Sequence, residues 1–349
     1  PEPTPDPEPM PDPDPTPDPG DTDSVGVERM LAAPTIDSQA ALKTDGSVWM
    51  WGTSAADLGK YNQQSQYNVR YQDSPIKVMD DCLSVGDFWC VKKDHSLWMW
   101  GNESAISGDY RNENKRSQPV KVMDDVAYFD GNYLCYVALK TDGTLWGWGD
   151  MSCLTGDDTR QDMTSVYQAV KLMDNVKQAQ CTGWGWMALK EDGSLWSCGI
   201  SNLSNLNAQD YVFGNQLIPL THVMDDVAAF DLAWQNTMVI KTDGSLWTWG
   251  DSSCGQIGNG VDYGEQQGNN YWYDTPYKVM DDVVYASAGS TAYAITSDGT
   301  LYGWGRNENN QLNRTGGNYT GLGDFYDNVT CQSTPVVVAK DVYAVAHSD

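Results

Sequence analysis

The sequence is poor in several residue types on which common functions depend. It has only 3 histidines (His95, His222 and His347), and 21 lysines and arginines against 48 aspartates and glutamates. In the sequence, no histidine stands beside a nucleophile and a carboxylate, and neither a glycine-rich phosphate loop nor a metal-ligand spacing occurs. We therefore expect a protein that is not an enzyme and that uses neither a cofactor nor a metal.

The formal net charge of −27 excludes a second class of function. Proteins that bind nucleic acid neutralise phosphates with lysine and arginine, and an acidic surface repels both phosphates and anionic membranes. No apolar run approaches the roughly 18 residues that a membrane span needs. The sequence predicts no nucleic-acid partner and no membrane insertion.

One pattern, ALKTDGSVWMWG in its first copy, returns about every 50 residues. Its copies occupy residues 41–52, 91–101, 138–149, 188–199, 239–250 and 294–305. Asp-Gly between two apolar runs predicts a β-hairpin, since the tight turn needs a residue with positive φ. The second copy has His95 in place of the glycine, so His95 must adopt that backbone conformation or the turn must change.

The Trp-x-Trp-Gly ending places two indoles on one face of a strand, as at Trp49 and Trp51. Their recurrence in nearly every copy predicts that they pack between neighbouring sheets, with Cys198 replacing the second indole in the fourth copy. A platform that stacks against sugars is the alternative interpretation.

Each repeat holds four strand candidates, which in the third are 125–131, 136–141, 144–149 and 169–173. A corner with two acidic residues, or Asp-Asn, follows the fourth strand at 80–81, 124–125, 174–175, 225–226 and 281–282. We expect these side chains to cap free backbone N–H groups rather than to bind calcium or act as acids. Their predicted charge partners are the repeating lysines, which are Lys43, Lys140, Lys190 and Lys241.

Four antiparallel strands repeated in this way predict an all-β fold, a β-propeller of four-stranded blades. The pattern A-L-K-x-D-G-x-L-W-x-W-G, the stretch GQIGNG at 255–260, and P-x-x-V at 75–78 and 119–122 resemble the regulator of chromosome condensation repeats. The resemblance covers residues 25–349 and favours a bacterial-type surface or secreted member. It implies seven blades, and in the eukaryotic founder it implies nucleotide exchange on a small GTPase and chromatin binding.

Six repeats are complete, and 340–347 begins a seventh without its hairpin. A longer seven-bladed parent and a ring of six blades are both compatible with this pattern.

Residues 1–24 form a separate segment in which proline and acidic residues alternate. Such a segment buries no apolar surface and favours extended polyproline II. It is typical of a stalk on a bacterial surface protein, and a plain disordered tail is the alternative. Because the sequence opens at Pro1 without methionine, we expect a processed or trimmed product at the cell surface or outside the cell.

The 8 cysteines permit four bridges but do not prove any. Cys82 and Cys90 flank a turn near Gly86 and can face each other across a hairpin. Cys153 and Cys254 occupy the same place in two repeats. Bridges and isolated buried thiols both remain compatible with the sequence, and zinc is not indicated.

The connections between third and fourth strands are long and rich in Tyr, Asn, Gln and Gly, a composition typical of recognition surfaces. We predict a non-catalytic, monomeric module that binds a protein or a glycan through these loops. The predicted binding residues are Tyr61, Tyr67, Tyr71, Tyr211, Phe213, Tyr263, Tyr271, Trp272, Tyr273, Tyr319, Phe325 and Tyr326. The alternatives are a carbohydrate-active enzyme with carboxylates from separate blades, a structural spacer, and loops that only cover blade edges.

Overall fold

The computed structural model describes a large part of the repeat region. It covers residues 38–52, 63–64, 70–86, 88–102, 115–132, 135–156, 165–182, 185–200, 217–233, 236–261, 272–313, 318–320 and 329–345. The chain divides into two compact parts, Pro1–Met30 and Leu31–Asp349, and all the described residues belong to the second. The predicted linker, 1–24, lies outside the described residues and stays a prediction.

Six antiparallel sheets follow one another along the chain, one for each repeat, and we number the repeats one to six. Repeat one contains β1 (Ser38–Leu42), β2 (Val48–Trp51), β3 (Gln63–Gln64) and β4 (Arg70–Met79). Repeat two contains β5 (Cys82–Val85), β6 (Trp89–Lys92), β7 (Leu97–Asn102) and β8 (Lys115–Met123). Repeat three contains β9 (Val126–Asn132), β10 (Cys135–Lys140), β11 (Leu145–Asp150), the helix α1 (Met151–Thr155) and β12 (Ser165–Met173).

The second half of the described chain repeats this arrangement. Repeat four contains β13 (Val176–Thr182), β14 (Gly185–Lys190), β15 (Leu195–Ile200) and β16 (Leu217–Met224). Repeat five contains β17 (Val227–Leu232), β18 (Asn236–Lys241), β19 (Leu246–Asp251) and β20 (Trp272–Met280). Repeat six contains β21 (Val283–Ser287), β22 (Thr291–Thr296), β23 (Leu301–Arg306), β24 (Asn318–Thr320) and β25 (Val329–Ala339).

The strands of repeats two to five pair in chain order, and β24 adds an edge strand to repeat six. In repeat one, β1, β2 and β4 take the places of second, third and fourth strands, and the place of a first strand precedes Ser38, outside the described residues. The four strands predicted for repeat three are confirmed, although β12 begins at Ser165 rather than at 169. The fold is the β-propeller that the repeat pattern predicted.

In repeats two, three, five and six the second tryptophan of the motif packs where neighbouring sheets meet. Trp100, Trp249 and Trp304 have no exposed surface, and Trp148 is 2% exposed. Trp148 stacks on Phe129 and on Tyr136, at centroid distances of 5.6 and 5.9 Å. An indole of this size fills the gap between two twisted sheets that diverge from each other.

In one cross-strand pair of repeat four, the large side chain lies on the second strand and the small one on the third, the reverse of repeats five and six. In repeats five and six the buried indoles, Trp249 and Trp304, lie opposite Thr237 and Ala292. In repeat four Cys198 has the place of the indole, and Trp186 lies opposite it on the second strand. Both are buried, so one large and one small side chain still fill the gap.

The first tryptophan of the motif has a different environment from the second. The sequence predicted that both indoles fill the gap between sheets, but the first is only half-buried and lies next to the hairpin turn. In repeats one to five its indole N–H donates to the hydroxyl two residues earlier, as from Trp247 to Ser245 at 2.9 Å. In repeats one to three a lysine ammonium lies over its ring, as for Lys43 at 4.3 Å from the centroid of Trp49.

The hairpin turns and the acidic corners interlock successive repeats through the backbone. The second corner residue adopts a positive φ, as in Asp226 (59°) and Asp282 (61°), and its carbonyl accepts the N–H of a residue in the next hairpin turn. The first strand of each repeat then donates to the turn of the repeat before it, as from Val283 N to Gly244 O at 2.9 Å. His95 also has a positive φ, of 62°, and therefore keeps the turn without a glycine.

The charge partners of the corners differ from those predicted. In repeats one, two, three and five the first corner aspartate pairs with a lysine of the fourth strand three residues earlier, as in Lys77–Asp80 and Lys278–Asp281, both at 2.6 Å. In repeat four His222 has the place of the lysine, 2.9 Å from Asp225. Of the predicted lysines, Lys140 lies 4.0 Å from Asp125, whereas the ammonium of Lys43 lies over the ring of Trp49. The lysine and the aspartate are three residues apart, and the corner between them brings the two side chains together. The sequence already contains this spacing.

The chain continues into the place of a seventh first strand. Val342 N donates to Gly299 O at 2.9 Å, which repeats the contact of Val283 with Gly244, and Asp341 has the positive φ of a corner. Tyr285 donates to Val345 O at 3.0 Å. The other first strands pair with the second strand of their own repeat. Within the described residues, 342–345 has no such strand partner.

The corner conformation gives a test of the interlock. We expect Asp282→Ala to lower the free energy of unfolding by about 1–2 kcal/mol, because alanine pays the full cost of the left-handed conformation. Asp282→Gly should be close to neutral in a urea titration, since glycine adopts that conformation freely. Equal losses in the two variants would contradict a role of the backbone conformation.

The turn carboxylates predict sensitivity to acid. Hydrogen bonds from the hydroxyl and the backbone N–H two residues later lower the pKa of Asp45, Asp94, Asp142, Asp192 and Asp243, and bonds from Thr296 and Thr300 lower that of Asp298. Because the folded pKa lies below the unfolded value of about 3.9, their stabilisation is present above about pH 5 and is lost as the pH falls through the folded pKa. We expect the Tm to fall between about pH 5 and pH 2. Asp94→Asn combined with Asp243→Asn should flatten that fall, and an unchanged slope would contradict the assignment.

Candidate functional site at the loop end of the repeats

Every sheet has two different ends. One carries the hairpin turns and the acidic corners, which keep nearly the same length in each repeat. At the other, which we call the loop end, third strands finish and fourth strands begin, as at Asp251 and Trp272. The connections at the loop end differ in length and composition from repeat to repeat. The topology therefore gathers the variable segments of all six repeats at the loop end.

Four of the predicted binding residues lie within the described chain. Tyr71 follows the start of β4 and pairs with Gln63, while Trp272 and Tyr273 begin β20 and pair with Asp251 and Gly250. Tyr319 lies in β24 opposite Thr330. These four positions are at the loop end, and their role in binding stays a prediction. The other predicted residues lie outside the described residues, and they are Tyr61, Tyr67, Tyr211, Phe213, Tyr263, Tyr271, Phe325 and Tyr326.

A disulfide joins the loop ends of repeats five and six. It links Cys254, in the loop after β19, to Cys331 in β25, 77 residues later. Cys331 pairs with Asn318, the neighbour of Tyr319, and the loop of Cys254 begins at Asp251, opposite Trp272. The disulfide thus joins two segments, one in each repeat, that lie next to predicted binding positions.

Hydrogen bonds and close backbone contact hold the same loop against repeat six. The indole of Trp304 donates to Gln256 O at 2.8 Å, and Gly260 N donates to Ser333 O at 2.8 Å. Gly255 has a φ of 77°, and a Cβ there would lie 2.5 Å from Cα of Ser333. The GQIGNG stretch is therefore a docking segment between two repeats. We call residues 251–261 together with Trp272, Tyr273, 318–320 and 329–333 the five–six platform.

Asp251 is the buried carboxylate of the five–six platform. Its oxygens accept the N–H and the hydroxyl of Ser253 at 2.9 and 2.8 Å, and the amide of Gln256 at 3.2 Å. Desolvation nonetheless raises its pKa above the ordinary value. All these partners belong to its own loop, so the carboxylate organises the loop and has the environment of a structural group.

Three buried side-chain atoms near this platform have no hydrogen-bond partner within the described residues. They are Asn236 Oδ1, Ser252 Oγ and Arg306 Nε. The Asn236 amide donates to Gly289 O at 2.8 Å, and an Arg306 terminal nitrogen lies 2.8 Å from Glu308. Asn236 pairs with Gly250, and Arg306 pairs with Cys331, so all three atoms lie at the loop end of repeats five and six. Sequence reasoning missed them, because no motif marks an atom that lacks a partner.

The described residues contain no group of three or more His, Cys, Asp or Glu side chains that could hold a metal ion. Among the same residues, no helix is long and apolar enough to cross a membrane.

A family model of the Regulator of chromosome condensation (RCC1) repeat matches residues 234–256 and 286–311, in repeats five and six. Repeats five and six are thus similar to RCC1 repeats. The structure of Prp20p from Saccharomyces cerevisiae resembles this one with a TM-score of 0.63 and 17% identity, over 87% of this chain and 75% of that chain. Human WBSCR16 gives a TM-score of 0.61 and 17% identity, over 86% and 79%. At these identities, the likeness concerns the fold.

Sequence relatives share shorter segments with this chain. The Arabidopsis thaliana ultraviolet-B receptor UVR8 is 30% identical over 115 residues, which are 32% of this chain and 24% of the receptor. The human E3 ubiquitin-protein ligase HERC2 is 35% identical over 81 residues, which are 22% of this chain and 2% of the ligase. The chain thus spans only a small part of the curated relatives that it matches.

The disulfide gives a test of how the platform is held. We expect Cys254→Ala with Cys331→Ala to lower the free energy of unfolding by up to about 4 kcal/mol, since the bond closes a long loop of the unfolded chain. The measurement is a urea titration of the oxidised proteins. The control is the same titration in reductant, where the wild type should approach the variant, and a difference that persists there would contradict the assignment to the bond.

Proposed function

We propose that this protein is a non-catalytic recognition module that binds a protein partner through the loop end of its repeats. One observation carries the proposal: the five–six platform links aromatic positions of two repeats by a disulfide, a buried indole and a docked loop. Aromatic side chains on a rigid support bring contact area with little loss of conformational entropy on binding. A platform held in this way suits recognition better than it suits covering of sheet edges.

The fold relatives support a protein as the partner. Yeast RCC1 (Prp20) forms a complex with Kap60, and Prp20p has binding properties toward Gsp1p and histones. Those partners belong to those proteins. For this chain, the net charge of −27 favours a basic protein as the partner, without indicating histones in particular. The same charge disfavours nucleic acid.

We also propose that the module lies outside the cell or at the cell surface. The Cys254–Cys331 disulfide is of the kind that persists in oxidising compartments and is rare in the cytosol. The segment 1–24, with its alternating proline and acidic residues, has the composition of an extended spacer that would hold the repeats away from an anchor.

The test compares aromatic residues at the loop end with a matched aromatic residue elsewhere. Tyr271→Ala, Trp272→Ala and Tyr273→Ala together should abolish capture of the partner and leave the Tm within a few degrees of the wild type. The control is Tyr277→Ala, on the same strand but beyond the loop end and 42% exposed, which should retain capture. Capture is measured by cross-linking on extracellular material, and protease or glycosidase treatment of that material identifies a protein or a glycan.

Two outcomes would overturn the proposal. Loss of capture together with a collapse of the Tm would show that the three aromatics serve packing. Turnover of a polysaccharide that a single carboxylate substitution abolishes would show an enzyme instead.

A further inference from the structure

Two cysteines meet inside the first hairpin of repeat two. Cys82 begins β5 and Cys90 lies in β6, and their sulfur atoms are 3.2 Å apart. This separation is shorter than the roughly 3.5–4.0 Å of ordinary contact between heavy atoms. The Cys90 sulfur also lies 2.9 Å from Sδ of Met79, so the thiols are crowded.

The strand register explains why these side chains meet. Cys82 pairs with Lys92, and Cys90 lies two residues before Lys92, so both cysteines point to the same face of the sheet. The register shifts between Cys82 and Ser84, where one extra residue is accommodated. A bulge of this kind bends the strand and re-aims a side chain.

The other repeats show what these two positions normally hold. The residues equivalent to Cys82 and Cys90 are Val126 and Ala138 in repeat three, Val176 and Ala188 in repeat four, Val227 and Val239 in repeat five, and Val283 and Ala294 in repeat six. All of them are buried. Only in repeat two, among these five, are both members of the pair cysteine. Two thiols placed together in one repeat favour a bonded pair over two unrelated apolar substitutions.

We propose that Cys82 and Cys90 form a second disulfide, which links β5 to β6 in the first hairpin of repeat two. The reaction is thiol–disulfide exchange with a low-molecular-weight disulfide such as oxidised glutathione. The Cys82 thiolate attacks a glutathione sulfur and one glutathione thiolate leaves. The Cys90 thiolate then attacks the Cys82 sulfur of the mixed disulfide and expels the second glutathione. Two protein thiols are oxidised, one disulfide is reduced to two thiols, and two protons pass to solvent and the leaving thiolates.

The local electrostatics distinguish the two thiols of the folded hairpin. A hydrogen bond with Cys90 lowers the pKa of the Cys82 thiol, and Lys92 lowers it further. The same hydrogen bond and burial raise the pKa of the Cys90 thiol far above the ordinary value. Both sulfurs are buried in the folded protein, so exchange needs an opening of the hairpin or takes place before folding is complete.

The test maps free thiols at each cysteine of the full chain. The protein is equilibrated in glutathione buffers from reducing to oxidising, quenched in acid, denatured and alkylated with N-ethylmaleimide, and its peptides are analysed by mass spectrometry. In oxidising buffer, label should be lost at both Cys82 and Cys90, and a peptide pair cross-linked between these two residues should appear with two hydrogens fewer.

The matched control is Cys82→Val with Cys90→Ala, which installs the pair that repeats three, four and six already use. This variant should fold with an unchanged circular dichroism spectrum and should lack the cross-linked peptides. Full labelling of Cys82 and Cys90 in buffers that keep Cys254 and Cys331 protected would overturn the proposal, and so would bonding of either residue to a different cysteine. The wild-type measurement decides the question even if the variant fails to fold.

Discussion

Each sheet of this protein has two apolar faces and too few residues to bury them alone, so the fold depends on contact between successive repeats. The cores show this directly, because single clusters combine residues of two repeats, as Trp89 of repeat two packs with Phe129 and Trp148 of repeat three. Among the described residues, the indoles of Trp100, Trp249 and Trp304 are the largest fully buried side chains. The backbone bonds between each first strand and the preceding hairpin turn fix the same neighbours at one end. Stability is thus a property of pairs of repeats.

The repeat period and the Asp-Gly hairpin allowed the sheets, their order and their four strands to be predicted, since turn chemistry and alternation are local properties. Other features depend on contacts that have no local signal. Trp49 is half-buried because its indole bonds to Ser47 in its own turn. The corner aspartates had two candidate partners, the lysines of the second strand and those of the fourth strand, and Asp80 pairs with the fourth-strand Lys77. Repeat four replaced Trp-x-Trp by Trp-x-Cys, and the compensating indole, Trp186, is visible only across the strand pair.

In the candidate site too, some features were predictable from the sequence and others were not. Composition pointed to the loop end, because the connections between third and fourth strands are rich in Tyr, Asn and Gly. The partner of Cys254 was not predictable, since Cys331 is 77 residues away and joins it only after β25 pairs with β23 and β24. The GQIGNG stretch was recognised as a family feature, yet its task, docking on Ser333 and Trp304, needs the three-dimensional contact.

The interlock between turns and corners has a consequence for how such a chain can change over time. An insertion in a hairpin turn would displace the carbonyl that receives the next first strand, and an insertion at a corner would separate the lysine and aspartate that are spaced three residues apart. An insertion between third and fourth strands disturbs neither. Length variation is therefore admitted on one side of the molecule and rejected on the other, which leaves a single surface free to diversify while the scaffold beneath it stays constant.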